Sequence, residues 1–248
     1  MRPRIYSSSC GELYLTRDSS KRIDSPLDEL GSEYPSELTT RSFEELKSLA
    51  FYGKSMGPEF FVIGGWAAWR YHSGFGSRDI DVVFHDHQIM DPFLAKYYKM
   101  NDYEPYGGPF ETRYRKRIGD GMFVQIDAAS FADGQPFKED RRRNLPFGLL
   151  MNHNDIWNLG ESVVRIPKPE LLILQKVKAH RDRSWELSRT TAPIQSDWLR
   201  GKIRKDEYDI RSIAPFITDW NSVRVILEDC DCRDLVEDSF KALRVKSR

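Results

Sequence analysis

The segment from Phe60 to Phe84 constrains the fold more than any other. Phe60-Phe61-Val62-Ile63 is a continuous apolar run, and Gly64-Gly65 ends it. Such a run between turn formers predicts a strand buried on both faces over residues 60–63. Trp66, Ala67, Ala68, Trp69 and Tyr71 then supply the apolar surface of a short helix, which Gly74-Phe75-Gly76 closes. Ile80 to Phe84 is a second apolar run, and Asp79 and Asp81 sit at its start. A strand turns residues two apart to the same face, so both carboxylates project together while Ile80 enters the opposite layer.

Two unit charges near 4 Å repel by about 1 kcal/mol in water and about 4 kcal/mol at a partly buried site. The Asp79/Asp81 pair must therefore take up protons or hold a cation, and a hard divalent ion such as Mg²⁺ suits carboxylate oxygens. Mn²⁺ accepts the same oxygen donors. A bare Asp-x-Asp is common on solvated strands and turns. Here Ile80, Val82, Val83 and Phe84 bury the strand, where unpaired carboxylates are costly. Val124-Gln125-Ile126-Asp127-Ala128 is another apolar strand with one acid, making Asp127 a candidate third metal ligand. Three carboxylates on adjacent strands suit a pair of Mg²⁺ ions clamping the attacking and leaving oxygens of a phosphoryl or nucleotidyl transfer. Asp127 is also a candidate acceptor of the attacking hydroxyl's proton. Gly64-Gly65, between a strand and a helix start, lets backbone N–H groups face an anion, and the helix dipole favours phosphate there.

The rest of the chain fills out an α+β pattern. Residues 1–38 are rich in Ser, Pro, Asp and Glu and read as a leader or peripheral segment. Ser42-Phe43-Glu44-Glu45 has the Ser-x-x-Glu arrangement of a helix start, predicting a helix from Ser42 to about Tyr52. A helix over 88–99 follows, then a break at Tyr106-Gly107-Gly108-Pro109. Strands over 111–117 and 122–130 are joined by Gly119-Asp120-Gly121, whose turn chemistry suits a hairpin. Val163-Val164-Arg165-Ile166 is one more short strand, ended by Pro167 and Pro169. An amphipathic helix opens at Leu171, and further helices fit 205–216, 218–228 and 231–244. The expected fold is a mixed β-sheet with packed helices over residues 39–167, and a C-terminal helical region over 168–248 that completes the site.

Lys plus Arg and Asp plus Glu both number 38, so net charge does not argue for a polyanionic partner. Arg113, Arg115, Lys116 and Arg117, the run Arg141 to Arg143, and Arg200 to Arg204 are local basic clusters that form a phosphate-binding surface only if they face one cleft. As ordinary solvated faces they would do nothing of the kind. The three cysteines, Cys10, Cys230 and Cys232, have no disulfide or zinc spacing, which fits a reducing, cytoplasmic setting. No apolar run approaches the ~20 residues that cross a bilayer, so no membrane partner is expected.

Gly64-Gly65-Trp66-Ala67, Ser77-Arg78-Asp79-Ile80-Asp81 and the later Asp127 together resemble the nucleotidyltransferase superfamily related to DNA polymerase beta. A finer resemblance is to the AbiEii-like branch, known from toxin–antitoxin and abortive-infection systems. A looser one is to small antibiotic-modifying nucleotidyltransferases. The finer likeness rests on Pro169-Glu170-Leu171-Leu172-Ile173-Leu174-Gln175-Lys176, Arg183 and Lys205-Asp206-Glu207-Tyr208-Asp209. It implies a triphosphate-binding and catalytic role for Lys176 and a site-organising role for Asp206 or Asp209. Arg183 to Arg204 separates the two motifs more widely than the branch's pattern, which leaves open which acid matches. Lys178 is a close rival of Lys176.

The resemblance implies an NTP-dependent enzyme, ATP among its substrates. Gly64, Gly65, Ser77, Arg78 and Lys176 would bind the nucleotide while Asp79, Asp81 and Asp127 hold two Mg²⁺. An NMP would pass to a hydroxyl of RNA, a partner protein or a small molecule, with release of pyrophosphate. The alternative is a noncatalytic nucleotide-binding or antitoxin-like regulatory module. His85-Asp86-His87 is expected to be a solvated turn, since imidazole matches Mg²⁺ poorly.

Overall fold

The computed structural model describes residues 36–106 and 113–245. Within them, helix α1 (Ser36–Met56) leads into β1 (Phe61–Val62), α2 (Gly64–His72), β2 (Asp79–Phe84) and α3 (His87–Met100). Strands β3 (Glu104–Tyr106), β4 (Arg113–Gly119) and β5 (Met122–Ser130) follow. A 3-10 turn (Phe147–Met151) then precedes β6 (Asn154–Leu159) and β7 (Ser162–Pro167). The chain closes with α4 (Pro169–Leu187), α5 (Pro193–Ile213), a 3-10 turn (Ala214–Phe216), α6 (Trp220–Asp229) and α7 (Arg233–Ala242). No helix among the described residues is long and apolar enough to cross a membrane.

The strands form one seven-stranded mixed sheet in the order β3-β4-β5-β2-β1-β7-β6. Strand β2 runs parallel to β5 and antiparallel to β1, and β1 runs parallel to β7. Alternation along β2 divides the two faces. Ile80, Val82 and Phe84 join Val124 and Ile126 of β5 in the main core, with Leu46 and Leu49 of α1 and Phe93 and Tyr97 of α3. On the opposite face Val83 packs with Phe61, Phe147, Leu150 and Leu171. Asp79 and Asp81 share that second face and open beside it.

Leu171, Leu172, Ile173 and Leu174 at the start of α4 are all fully buried, as expected of a helix surrounded by other elements. Helix α4 packs against the length of α5, and against α2, α6 and α7. The sheet and the C-terminal helices therefore share one core.

Four expectations need correction. The first helix begins at Ser36, not Ser42; residues 1–35 of the expected leader or peripheral segment lie outside the described ones. Ser42 is not a cap: buried mid-helix, its Oγ accepts from Trp66 Nε1 at 3.1 Å and donates to the Arg78 carbonyl at 3.0 Å. Strands β3 and β6 were not expected; both are edge strands whose polar residues break the apolar pattern. The helix expected over 205–216 starts at Pro193, a favoured first-turn residue, and ends at Ile213. The hairpin expected between β4 and β5 is present, with Gly121 at φ +70° in its turn, though residues 111–112 of the expected strand lie outside the described ones.

Candidate functional site

Asp81 and Asp127 stand directly opposite one another on the parallel strands β2 and β5, and Asp79 is opposite Gln125. All four side chains line a cleft of about 480 Å³ whose far wall is built by α4 and α5. Asp127 is exposed, while Asp79 and Asp81 are partly covered. Burial pushes the Asp81 carboxyl up to about 6, with the Asp127 and Asp79 charges adding to the effect and Lys176 and Lys202 opposing it. Crowded negative charge of this kind is what a bound cation relieves.

The Gly64-Gly65 turn fits against these acids. Gly64 has φ +66°, and a Cβ there would lie 1.9 Å from Asp81 Oδ2, so only glycine satisfies both the backbone and the carboxylate. A Cβ on Gly65 would meet Ser77 Oγ at 2.7 Å and Lys205 Nζ at 3.3 Å. Ile63 at the helix N-cap offers no side-chain acceptor, which leaves the first N–H groups of α2 to face the cleft. Ser77 is buried at the cleft wall, and Arg78 Nε donates to Asp79 Oδ1 at 2.8 Å.

The opposite wall is cationic and internally organised. Lys176 of α4 places Nζ 2.6 Å from Oδ2 of Asp209 on α5, and both side chains are buried. Asp209 Oδ1 lies 3.1 Å from His72 Nε2. His72 Nδ1 accepts the Gly74 N–H at 3.1 Å, which places the ring's hydrogen on Nε2, toward Asp209. Both contacts to Asp209 fall outside directed hydrogen-bond geometry, so the cluster is held by charge and packing. Burial alone would raise the Asp209 carboxyl; Lys176, His72 and Lys205 override it and hold it well below the usual carboxylate range. One turn earlier, buried Asp206 pairs with Arg183 and lines the cleft. Lys205 donates to the Gly76 carbonyl at 2.9 Å, tying α5 to the loop before β2.

The wide Arg183–Arg204 spacing thus reflects an antiparallel helix pair in which Lys176 meets Asp209 and Arg183 meets Asp206. Lys178 also reaches the cleft, but it pairs with Asp182. Every nucleotide, metal and catalytic candidate from the sequence lines the cleft except Asp209, which stands behind Lys176. Lys202, Lys205 and His72 were not singled out as site residues. Lys202 had a signal in its place in the Arg200–Arg204 cluster and Lys205 in its place at the head of the Lys205–Asp209 motif; His72 had none. Of the other basic clusters Arg113 alone reaches this cleft: Arg115 pairs with Glu104, Lys116 with Glu45, Arg142 with Asp140 and Arg143 with Asp234.

Asp79, Asp81 and Asp127 suit a hard divalent ion in donor chemistry, and the raised Asp81 carboxyl fits that role. They are not gathered in advance: no three His, Cys, Asp or Glu side chains among the described residues form a ready metal cluster. His85-Asp86-His87 is a turn: Asp86 caps α3 through Ile89 N at 2.8 Å, and His87 contacts Asp133 at 2.9 Å. Cys230 and Cys232 are free thiols between α6 and α7.

No family model and no curated protein matches the sequence. Among solved structures the chain is similar to an antigenic nucleotidyltransferase-like protein from Paracoccidioides brasiliensis, at 17% identity and TM-score 0.49 over 84% of this chain and 94% of that one. It is similar to ANT(2")-Ia in complex with adenylyl-2"-tobramycin, at 16% identity and TM-score 0.48 over 77% of this chain and 98% of that one. A third is the Thermotoga maritima CCA-adding enzyme complexed with tRNA, at 12% identity and TM-score 0.32 over 88% of this chain and 55% of that one.

Proposed function

We propose that the chain is a metal-dependent nucleotidyltransferase that moves an NMP from an NTP to a hydroxyl acceptor. The observation that carries this reading is the register of Asp81 against Asp127, with Asp79 on the same face and the Gly64-Gly65 turn packed on Asp81. Asp79, Asp81 and Asp127 would hold the divalent ions, which when bound polarise the reacting phosphate and neutralise its charge. The N–H groups of Gly64 and Gly65 and the Ser77 hydroxyl would hold triphosphate oxygens. Lys176 supplies positive charge from the opposite wall, and Asp209 and His72 fix its position. The exposed Asp127 carboxylate would take the proton of the attacking hydroxyl. Within the superfamily, the Lys176 and Asp206/Asp209 motifs favour the AbiEii-like branch.

The test uses α-labelled ATP and the other NTPs with Mg²⁺, an acceptor mixture from cell extract, and pyrophosphate release as the readout. Wild-type protein should label an acceptor, and the Asp79→Ala/Asp81→Ala variant should not. Equal labelling by that variant sinks the assignment.

A second reading is a noncatalytic nucleotide-binding or regulatory module, favoured by the Arg78 bond to Asp79 and the lack of a preassembled metal cluster among the described residues. Calorimetry separates the two. A transferase binds NTP much more tightly with Mg²⁺ and then consumes it; a sensor binds without turnover.

A further inference from the structure

Beside the cleft lies a second cavity of about 590 Å³, within the range of small-molecule sites. Gln135, Lys138, Lys178 and Asp182 line both spaces, so the two are contiguous. Ala129, two residues after Asp127 and on the same face of β5, forms part of the second wall, and its small side chain leaves the space open. A compound seated there lies beside the Asp127 end of the acidic trio.

We propose that this cavity is the acceptor subsite and that it takes a hydroxyl compound carrying a phosphate, either the end of an RNA strand or a free sugar phosphate. This rests on the nucleotidyl-transfer reading above and adds the class of acceptor to it.

Charge decides the class. Both carboxylates in the cavity are already engaged by the protein. Asp133 accepts the Ser130 N–H at 2.7 Å and contacts His87 Nε2 at 2.9 Å. Asp182 accepts the Lys138 N–H at 2.8 Å and pairs with Lys178 at 2.5 Å. A polycationic acceptor would find no carboxylate to pair with unless it broke these contacts. Arg141, by contrast, brings an exposed guanidinium to the wall, and among the described residues it pairs with no carboxylate. A guanidinium binds phosphate with two parallel hydrogen bonds, which neutral polyols do not reward.

In the reaction the acceptor oxygen forms a bond to the α-phosphorus of the NTP. The bond from that phosphorus to the oxygen bridging to the β-phosphate breaks, and pyrophosphate leaves with the electron pair. The hydroxyl proton passes to Asp127.

The experiment has two readouts on the full chain. Calorimetry with each of the four NTPs and Mg²⁺ reports the nucleotide cleft; if none binds, the transferase reading itself fails. With binding established, label transfer from the α-labelled NTP that binds is compared for a short oligoribonucleotide with a free 3′ hydroxyl, a ribose phosphate, a neutral polyol and an aminoglycoside. Transfer to the oligoribonucleotide or the ribose phosphate supports the subsite, and which of them is labelled identifies the source. Preferential transfer to the aminoglycoside or the polyol, or no transfer to either phosphate compound, overturns it. Arg141→Glu reverses one exposed charge and should lower kcat/KM for the phosphate-bearing acceptor by roughly tenfold or more, the effect of losing a charged hydrogen bond. Its affinity for that NTP should stay within about twofold, because Arg141 lines the second cavity and not the first. An unchanged kcat/KM in that variant counts against the proposal.

Discussion

Lys176 and Asp209 meet as a buried ion pair across two antiparallel helices, Nζ 2.6 Å from Oδ2. Removing one member leaves the other charge without its partner in a low-dielectric site. Losses of about 3–5 kcal/mol follow when such a pair is broken from one side, whereas replacing both charges by apolar groups is often tolerated. Asp209→Leu should therefore destabilise the fold strongly, and Lys176→Met/Asp209→Leu should recover a large part of that loss in urea unfolding. Neither should support transfer. Strictly additive losses would show that the two side chains do not depend on each other.

His72 has a narrower task. Its Nε2 faces Asp209 at 3.1 Å, while its Nδ1 is held by the Gly74 N–H. It touches no part of the cleft, so its effect on transfer runs through Asp209 and Lys176. His72→Ala should weaken NTP binding by about 1–3 kcal/mol, the usual range for unpairing a buried polar group. His72→Gln, whose Nε2 can occupy the same place, should restore most of the affinity. Titration of the two variants with NTP checks this; equal weakening in both would assign His72 to packing alone.

Gly64 couples backbone to chemistry. At φ +66° any side chain is strained, and a methyl group there would lie 1.9 Å from Asp81 Oδ2. Gly64→Ala should cost about 1 kcal/mol or more in stability from the backbone alone. It should also abolish transfer by displacing Asp81. Thermal unfolding and label transfer measure the two effects separately. Full activity in this variant would mean that Asp81 does not need its observed position.

How much of this was legible depended on range along the chain. The two strands, the turn between them and the common face of Asp79 and Asp81 follow from alternation and glycine placement, which are local signals. The Asp81–Asp127 register was legible only as a suggestion, because strand pairing is a property of the sheet. His72 and Asp209 carried no sign of their contact, since a lone histidine at a helix end reads the same whether or not an acid on a distant helix reaches it. Ser42 misled for the opposite reason: Ser-x-x-Glu is a helix-start signal, yet here a tertiary donor, Trp66, claims the hydroxyl within the helix.

Asp81 links stability, pH and cation binding. Its carboxyl is raised from 3.8 to about 6 by burial and by the neighbouring Asp127 and Asp79 charges. Between those values the folded chain binds more protons at this site than the unfolded chain, so stability falls as pH rises through the window, and the deficit is complete above pH 6. The shift corresponds to roughly 2–3 kcal/mol. Asp81→Asn removes the titrating charge and should raise the melting temperature of the cation-free protein above neutral pH by roughly 4–10 °C. Below pH 4 it should change little. Mg²⁺ should raise the melting temperature of wild-type protein above pH 6 and leave that of Asp81→Asn nearly unmoved, because the cation then has less charge to neutralise. The same substitution should eliminate nucleotidyl transfer, so this carboxylate would lower stability in exchange for function. Scans with a chelator and with Mg²⁺ across pH 4 to 8 check all of these together, and a wild-type curve indifferent to Mg²⁺ throughout would remove Asp81 from the proposed metal site.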